Sequence, residues 1–201
     1  MRILLLLFIT LAACTQQSNR QNNSKATAVD STLVIQEGQQ ITQAAFSTLS
    51  LNLQRAIAEG GIPYALQFCN VEAMPLTDSL STTHNVLIKR ASHRPQNPRN
   101  RADSLEMITI KKYLQQINQQ KELAPQLYTQ AQQIIYHAPI RINQPLCLNC
   151  HGQLGSDITQ QTLDTMRQQY PDDEATGFAM GDLRGIWTIK FPDAYFDKAN
   201  N

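Results

Sequence analysis

Apolar side chains recur at helical spacing over the first part of the chain that can fold. Positions four residues apart form one stripe, which predicts a long amphipathic helix: Ile41, Ala45, Leu49, Leu53 and Ile57. The glycine pair at 60–61 follows this stripe, and glycine often ends a helix because it reaches backbone angles that other residues avoid. A short second helix is predicted over 62–70, on which Leu66 and Cys69 share a face.

The rest of the chain alternates short strand and helix patterns. Three strands are predicted where β-branched and aromatic residues concentrate, over 85–91, 134–140 and 185–191. One helix begins at Asp103, which forms a capping box with Glu106, and another helix spans 159–170. A donor-rich loop, 92–101, contains two prolines and lies between the first predicted strand and the helix that begins at Asp103. Helices in front of interspersed strands favour an α+β fold with a small antiparallel sheet.

The amino terminus has the pattern of an export signal. An apolar run over 3–13 is too short to span a bilayer and ends at Cys14. It resembles the bacterial lipobox, where cleavage precedes a cysteine that then carries a diacylglycerol, and an ordinary signal peptide with an incidental Cys14 is the alternative. The sequence therefore predicts a lipoprotein signal peptide over 1–13, a flexible polar tether over 14–32 and one folded domain over 33–201.

The near-neutral balance of charged residues argues against two classes of binding partner. The chain of 201 residues carries 17 basic and 16 acidic side chains, and removal of the signal peptide would leave the mature chain formally neutral. Neither a basic stripe for nucleic acid nor a polybasic patch for a lipid surface is therefore expected. The predicted location is the periplasmic side of the cell envelope, with acyl chains as the anchor. Thr15 after the lipidated cysteine favours the outer membrane.

Cys147, Cys150 and His151 carry the most specific chemistry in the sequence. They have the Cys-x-x-Cys-His spacing of covalent c-type haem attachment, in which two thiols add to porphyrin vinyl groups and the histidine binds the iron. One covalent haem c is therefore predicted. A thioredoxin-like redox pair is disfavoured, because an irregular segment with Pro145 is expected before the first cysteine. A zinc site with Cys69 as a third thiolate is the other alternative.

A six-coordinate haem iron needs a second axial ligand besides the histidine. The sequence offers several candidates: Cys69, Met74, His84, His93, His137 and Met180. Methionines and single histidines are more often core or surface residues than ligands. Cys69 is the cysteine that lipid and haem do not use, and an unpaired thiol in an exported protein needs an explanation. The residues alone leave a buried, inert thiol as an equal alternative.

Several motifs in a fixed order carry a family resemblance. They read CNVEAMPLT, KRAS, NPRN, CLNCHG, YPDDEATGF and GDLRG, and they occupy 69–77, 89–92, 97–100, 147–152, 170–178 and 181–185. Between residues 41 and 191 the chain resembles a bacterial extracytoplasmic haem c-binding domain of PAS-like fold. Members of that family, described as a domain of unknown function, occur alone or at the sensory end of histidine kinases. The resemblance implies a PAS-like antiparallel sheet flanked by helices and one haem c.

The resemblance also implies roles for individual residues. The family binds the iron between a histidine and a cysteine, and these correspond to His151 and Cys69. The implied surroundings of the haem, including donors to its propionates, are Arg90, Asn97, Asn100 and Arg184. Ordinary surface or turn roles are the alternative for each of them. Lys89 stands where the family usually has arginine, and residues 93–96 depart from the usual family pattern. These departures affect the expected propionate contacts more than the expectation of haem itself.

Together these features predict a lipid-anchored c-type cytochrome with one haem and His/Cys ligation. Its expected activity is one-electron transfer between unidentified periplasmic redox proteins, at a low potential because a thiolate ligand favours ferric iron. No catalytic acid, base or substrate motif is visible, so an enzyme is not predicted. A haem-based redox or gas sensor is the first alternative function, and a thiol-disulfide oxidoreductase without haem is the second.

Overall fold

The fold is that of a computed structural model, which describes residues 30–193 and 195–196. In chain order its elements are α1 (Ser31–His84), β1 (Leu87–Ala91), α2 (Ser104–Asn118), β2 (Gln126–Gln130), β3 (Gln133–Arg141), α3 (Pro145–His151), α4 (Gln160–Gln169) and β4 (Leu183–Phe191). The predicted signal peptide, Cys14 and nearly all of the predicted tether lie outside the described residues. In the part of the chain that is described, no helix is both long and apolar enough to cross a bilayer.

α1 contains the predicted long helix and its glycine break. Gly60 (φ −149°) and Gly61 (φ 72°, ψ −171°) leave the helical region, so a kink divides α1 there. Only glycine reaches the backbone angles of Gly61 without strain. The second part of α1 runs on to His84, and the predicted end at residue 70 is wrong. The helix continues through Pro75, although proline removes one backbone hydrogen bond. The packing of α1 against α4 and β1 compensates for this loss.

The four strands form one antiparallel sheet in the order β1-β4-β3-β2. β1, β3 and β4 correspond to the three predicted strands, and the α+β, PAS-like fold with helices flanking the sheet is confirmed. β2 escapes prediction because its residues are mostly polar and it is an edge strand. Its hairpin to β3 turns at Ala131 and Gln132, with φ of 49° and 68°, without the Asn-Gly or Asp-Gly pair that marks such turns in a sequence.

The sheet packs one face against α1 and the other against α2. Alternate strand residues meet α1 in the larger core: Ile88, Tyr136, Ala138, Trp187, Ile189 and Phe191. The α2 face holds a smaller apolar cluster: Ala91, Ile110, Tyr113, Leu183 and Ile186. This arrangement follows from the two-residue period of a strand, which sends neighbouring side chains to opposite faces.

A buried polar network lies under α2, beside the smaller cluster. The Glu106 carboxylate accepts hydrogen bonds from Lys89 Nζ at 2.7 Å and Thr188 Oγ1 at 2.9 Å. It also accepts from Asp103 N at 2.8 Å, which completes the capping box expected from the sequence. The network therefore ties the start of α2 to β1 and β4.

His137 in β3 is expected to make the folded protein less stable in acid. Its side chain is fully buried, with Nδ1 2.7 Å from Thr109 Oγ1, and Nε2 has no partner among the described residues. Burial lowers the pKa of His137 from its ordinary 6.5 to about 4. As the pH falls, the His137 imidazole therefore becomes protonated near pH 6.5 in the unfolded chain but only near pH 4 in the folded protein. Between these values the free energy of unfolding should fall by about 3 kcal/mol from this group.

Chemical unfolding between pH 7 and pH 4 tests this expectation. His137→Gln, which cannot take up a proton, should lose less stability over this range than the wild-type chain. His84→Gln, at the end of α1, is the matched control and should follow the wild type. Parallel curves for His137→Gln and the wild-type chain would contradict the prediction.

Candidate functional site

A cavity of about 270 Å³ lies among α1, α3 and the sheet. Its wall is largely apolar, with side chains from α1, β3, α3 and β4: Phe46, Leu49, Leu53, Leu66, Ile140, Leu146 and Trp187. Every residue that the sequence assigns to the haem site lines this cavity: Cys69, Arg90, Asn97, Asn100, Cys147, Cys150, His151 and Arg184. The fold thus brings together groups that are far apart along the chain.

Only some of the candidates for the second axial ligand line this cavity. Cys69 lines it, and so does Met74 on the same helix. The other candidates are outside the lining: His84, His93, His137 and Met180. Cys69 and Met74 are therefore the two predicted ligand candidates near the Cys-x-x-Cys-His motif.

The Cys-x-x-Cys-His motif lies on α3, so the irregular segment expected before Cys147 is confined to 142–144 and does not include Pro145. Pro145 is the first helical residue, where its missing N–H removes no helical hydrogen bond. Cys147, Cys150 and His151 stand at positions i, i+3 and i+4, which are adjacent on one face of a helix, and all three reach the cavity. The described sheet is antiparallel throughout and lacks the strand–helix–strand context of a thioredoxin-like pair.

His151 is oriented by a hydrogen bond from Nδ1 to the carbonyl oxygen of Ala175, at 2.9 Å. A carbonyl only accepts, so Nδ1 carries the hydrogen and Nε2 keeps its lone pair. Burial lowers the pKa of His151 to about 3, and the nearby Arg184 guanidinium contributes to this shift. The imidazole is therefore neutral near pH 7, which is the form that binds a metal ion.

Ala175 belongs to a segment without helix or strand that wraps the end of α3. Phe178 N donates to His151 O at 2.8 Å, and Gly177 N donates to Gly152 O at 2.7 Å. Gly177 has a φ of 76°, which glycine adopts without strain. The sequence assigned no role to this segment. Its only signal was the YPDDEATGF motif, which the family resemblance singled out.

The three thiols near the cavity are partly buried and are not joined to each other. Cys69, Cys147 and Cys150 are free, with no disulfide among the described residues. Burial raises the pKa of Cys150 to about 12. Burial also raises the pKa of Cys69, while the Arg90 guanidinium opposes that shift. Among the described residues, no three or more His, Cys, Asp or Glu side chains cluster in a way that could hold a metal ion by themselves.

Two guanidinium groups reach the cavity without a carboxylate partner. Arg184 Nη1 donates to Ser92 Oγ at 3.0 Å and to Arg94 O at 3.2 Å, but its buried Nε has no partner among the described residues. Burial lowers the pKa of Arg184 to about 10 and lowers that of Arg90. Both remain charged near neutral pH. The Asp173 carboxylate favours the charged form of Arg184 but makes no salt bridge with it among the described residues. Because a largely desolvated charge without a direct ion pair is unfavourable, these groups indicate an anionic ligand.

Asn97 and Asn100 line the cavity and also shape the loop after β1. Asn97 Oδ1 accepts a hydrogen bond from Arg99 N at 3.0 Å and starts the 3-10 turn Pro98–Asn100. The carbonyl oxygen of Asn100 accepts from Ser92 N at 2.8 Å. The turn role that was the alternative for these residues is therefore present beside their position at the cavity.

The residues at the cavity fit a haem c. Two thiols have the attachment spacing, a neutral imidazole is presented beside them, and the apolar wall matches the porphyrin. The unpaired guanidinium groups match the propionates, which are carboxylates. The donor set therefore agrees with the prosthetic group that the sequence predicted.

Comparisons with known proteins identify a similar solved structure and the family of this chain. The solved structure of the cyanobacterial heme-protein Tll0287 matches with a TM-score of 0.56 at 18% sequence identity, covering 80% of this chain and 93% of that chain. At this identity the likeness shows the fold alone. None of the curated proteins compared matches this chain. A family model described as Tll0287-like matches residues 12–192, which confirms the resemblance seen in the motifs and shows that the chain belongs to the Tll0287-like family.

Proposed function

We propose that this chain binds one haem covalently through Cys147 and Cys150, with His151 and Cys69 as axial ligands, and acts in one-electron transfer. The observation that carries the proposal is the shared cavity: the motif on α3, the Cys69 thiol and two unpaired guanidinium groups all line it. The name of the solved relative, a heme-protein, supports haem as the ligand.

Each residue at the cavity has a separate task in this proposal. The haem supplies an iron that changes oxidation state by one electron. Cys147 and Cys150 form the thioether links, and His151 offers Nε2 because Ala175 holds the hydrogen on Nδ1. The apolar walls exclude water from the ring. Arg90 and Arg184 would form ion pairs with the propionates. This pairing would offset the unfavourable free energy of desolvating the two guanidinium groups.

Cys69 binds iron as a thiolate, although burial favours its protonated form. The Arg90 guanidinium acts against the effect of burial, and the positive charge that a bound ferric iron would add would favour the thiolate further, with its proton released to solvent. An anionic ligand of this kind stabilises ferric iron more than ferrous iron. A low reduction potential is the consequence.

A haem-based sensor is the second candidate function, and Met74 is the observation that favours it. Met74 lines the same cavity as Cys69 and lies five residues further along α1. Two sulfur ligands within reach of one cavity would allow exchange on reduction, because ferrous iron holds an anionic ligand less strongly. A thiol-disulfide oxidoreductase is disfavoured, since burial raises the pKa of Cys150 to about 12 and a reactive thiol needs a low pKa.

The visible spectrum of the purified wild-type chain tests the proposed function. We expect Soret and α bands on reduction, haem that acid-acetone does not extract, and one haem per chain by the pyridine haemochrome assay. A ferric thiolate charge-transfer band would support Cys69. A colourless protein, or haem that acid-acetone extracts, would overturn covalent haem binding.

We further propose that the mature chain begins at a diacylated Cys14 and is anchored on the periplasmic side of the outer membrane. In cells, the Cys14→Ala variant of the full chain should be lost from the membrane fraction, because the neutral mature surface gives little electrostatic attachment. Cys69→Ala is the matched control and should stay membrane-bound. Mass spectrometry of the native amino terminus gives the decisive measurement, and an unmodified terminus at another residue would reject the anchor.

A further inference from the structure

We propose that Arg94 is a positioning residue for His151, and that it lowers the reduction potential by holding the carbonyl group that orients this ligand. The inference rests on the proposed function, because a reduction potential exists only where haem is bound. Arg94 lies outside the lining of the cavity, so its effect must pass through the protein.

The carbonyl group of Ala175 controls how strongly His151 donates electrons. A well-aligned hydrogen bond from Nδ1 makes the imidazole a better electron donor, which would strengthen its bond to ferric iron and lower the potential. The distance between Nδ1 and the Ala175 oxygen is 2.9 Å. Ala175 lies outside any helix or strand, so no helix or strand hydrogen-bond pattern keeps its carbonyl in place. Its own N–H donates to Asp173 Oδ1 at 2.7 Å, which leaves the carbonyl to be held through its neighbours. The contacts of its neighbours therefore determine the geometry at His151.

Arg94 supplies those contacts on both sides of Ala175. Its Nε donates to the carbonyl of Glu174 at 3.2 Å, and its Nη2 donates to the carbonyl of Thr176. One planar guanidinium thus binds the two carbonyl groups that flank the one accepting from His151. These two bonds restrain the chain on both sides of the Ala175 carbonyl.

Phe178 connects the same guanidinium to His151 by a second route. The Arg94 guanidinium carbon lies 4.1 Å from the centre of the Phe178 ring, within range for a cation–π contact. The Phe178 ring meets the His151 imidazole edge-on, with centroids 6.4 Å apart. Its backbone N also bonds to His151 O at 2.8 Å. Arg94 therefore holds both the carbonyl acceptor and the aromatic neighbour of the ligand.

Arg94 is itself fixed by the loop after β1. Its backbone N donates to Ser92 Oγ at 3.1 Å, and its carbonyl accepts from Arg184 Nη1 at 3.2 Å. The next residue, Pro95, accepts a hydrogen bond from Glu174 N at 3.0 Å. The loop and the segment around Ala175 thus form one connected unit that reaches the cavity through Arg184.

The chemistry of the side chain separates Arg94 from a simple positive charge. Lysine carries the same charge, but its single ammonium cannot bind two carbonyl groups in the plane of a guanidinium. Arg94→Lys should therefore loosen the Ala175 carbonyl while keeping the charge. We expect its midpoint potential to shift upward and its ferric low-spin g-values to change. Arg94→Gln loosens the same carbonyl but also removes a positive charge, and this charge loss opposes the upward shift.

A matched control separates the effect of losing a positive charge from the effect of losing the carbonyl contacts. Arg101 binds the same residue, Glu174, but through the exposed carboxylate rather than the backbone. Arg101→Gln removes one positive charge near the segment and leaves both carbonyl contacts intact. Loss of a positive charge alone favours ferric iron and shifts the potential downward. Arg101→Gln should therefore shift the potential downward or leave it unchanged, with wild-type g-values.

Potentiometric titration and ferric electron paramagnetic resonance of the four haem-loaded proteins distinguish the outcomes. An upward shift in Arg94→Lys, together with a higher potential in Arg94→Gln than in Arg101→Gln, supports the inference. A wild-type potential in Arg94→Lys, or equal potentials in Arg94→Gln and Arg101→Gln, overturns it. If the wild-type chain binds no haem, the proposed function fails separately. Nitrogen NMR of His151 then decides: loss of the Nδ1–H tautomer in Arg94→Lys supports the inference, and an unchanged tautomer overturns it.

Discussion

Replacing both Cys147 and Cys150 by alanine is expected to abolish covalent haem completely. Both thiols line the cavity, and α3 presents them one helical turn apart. In the proposed function each would form one thioether to a vinyl group of the porphyrin, so the double variant would have no covalent link left. Each single variant should keep one link and remain stained at a reduced level. The measurement is haem staining on a denaturing gel, followed by acid-acetone extraction.

Cys69→Ala is the matched control for this result. It removes a partly buried thiol from the same cavity, but it leaves the Cys-x-x-Cys-His motif intact. We expect it to keep full haem staining, whatever it does to the spectrum. Staining of the double variant would place the covalent link elsewhere, and loss of stain in Cys69→Ala would mean that this cysteine takes part in attachment or maturation.

Cys69→Ser is expected to remove the thiolate ligand and to raise the midpoint potential by an amount on the order of 0.1 V. The serine hydroxyl has nearly the same size but does not ionise near neutral pH, so ferric iron loses an anionic donor. Met74, on the same wall of the cavity, is then the natural sulfur ligand, and a thioether raises the potential further. Ferric electron paramagnetic resonance and potentiometric titration measure the two effects.

Met74→Leu is the control for the axial position. Leucine fills a similar volume without a donor atom, so the ferric g-values should match those of the wild-type chain if Cys69 is the ligand. Unchanged g-values in Cys69→Ser would defeat the assignment of Cys69. A change seen only in Met74→Leu would transfer the role to methionine.

Short-range patterns in the sequence predicted much of the fold. The apolar stripe of α1, the capping box between Asp103 and Glu106, and the strands β1, β3 and β4 all follow from spacings of a few residues. The break at the glycine pair 60–61 was also predictable, since glycine alone tolerates the backbone angles found there. Patterns of this length predict local structure well because they depend on backbone geometry and on the period of one element.

Elements whose stability comes from distant contacts were the ones that local patterns misjudged. The second part of α1 passes Pro75, a residue that ordinarily ends a helix, because its packing partners lie in α4 and β1. The edge strand β2 has little apolar character and pairs through a hairpin without the usual turn residues. α3 was missed because Pro145 reads as a breaker, although proline is favoured in the first turn of a helix.

The sequence by itself determined the attachment motif, because Cys147, Cys150 and His151 are neighbours on one helical turn and their spacing is local. Only the tertiary structure decided what surrounds them. It brings Cys69 and two unpaired arginines to the same cavity, and it sets the Ala175 carbonyl against His151 across a gap of 24 residues. Such contacts depend on how the loop, the helices and the sheet pack together. No spacing along a single chain segment encodes that arrangement, since each contact is stabilised by many others at once.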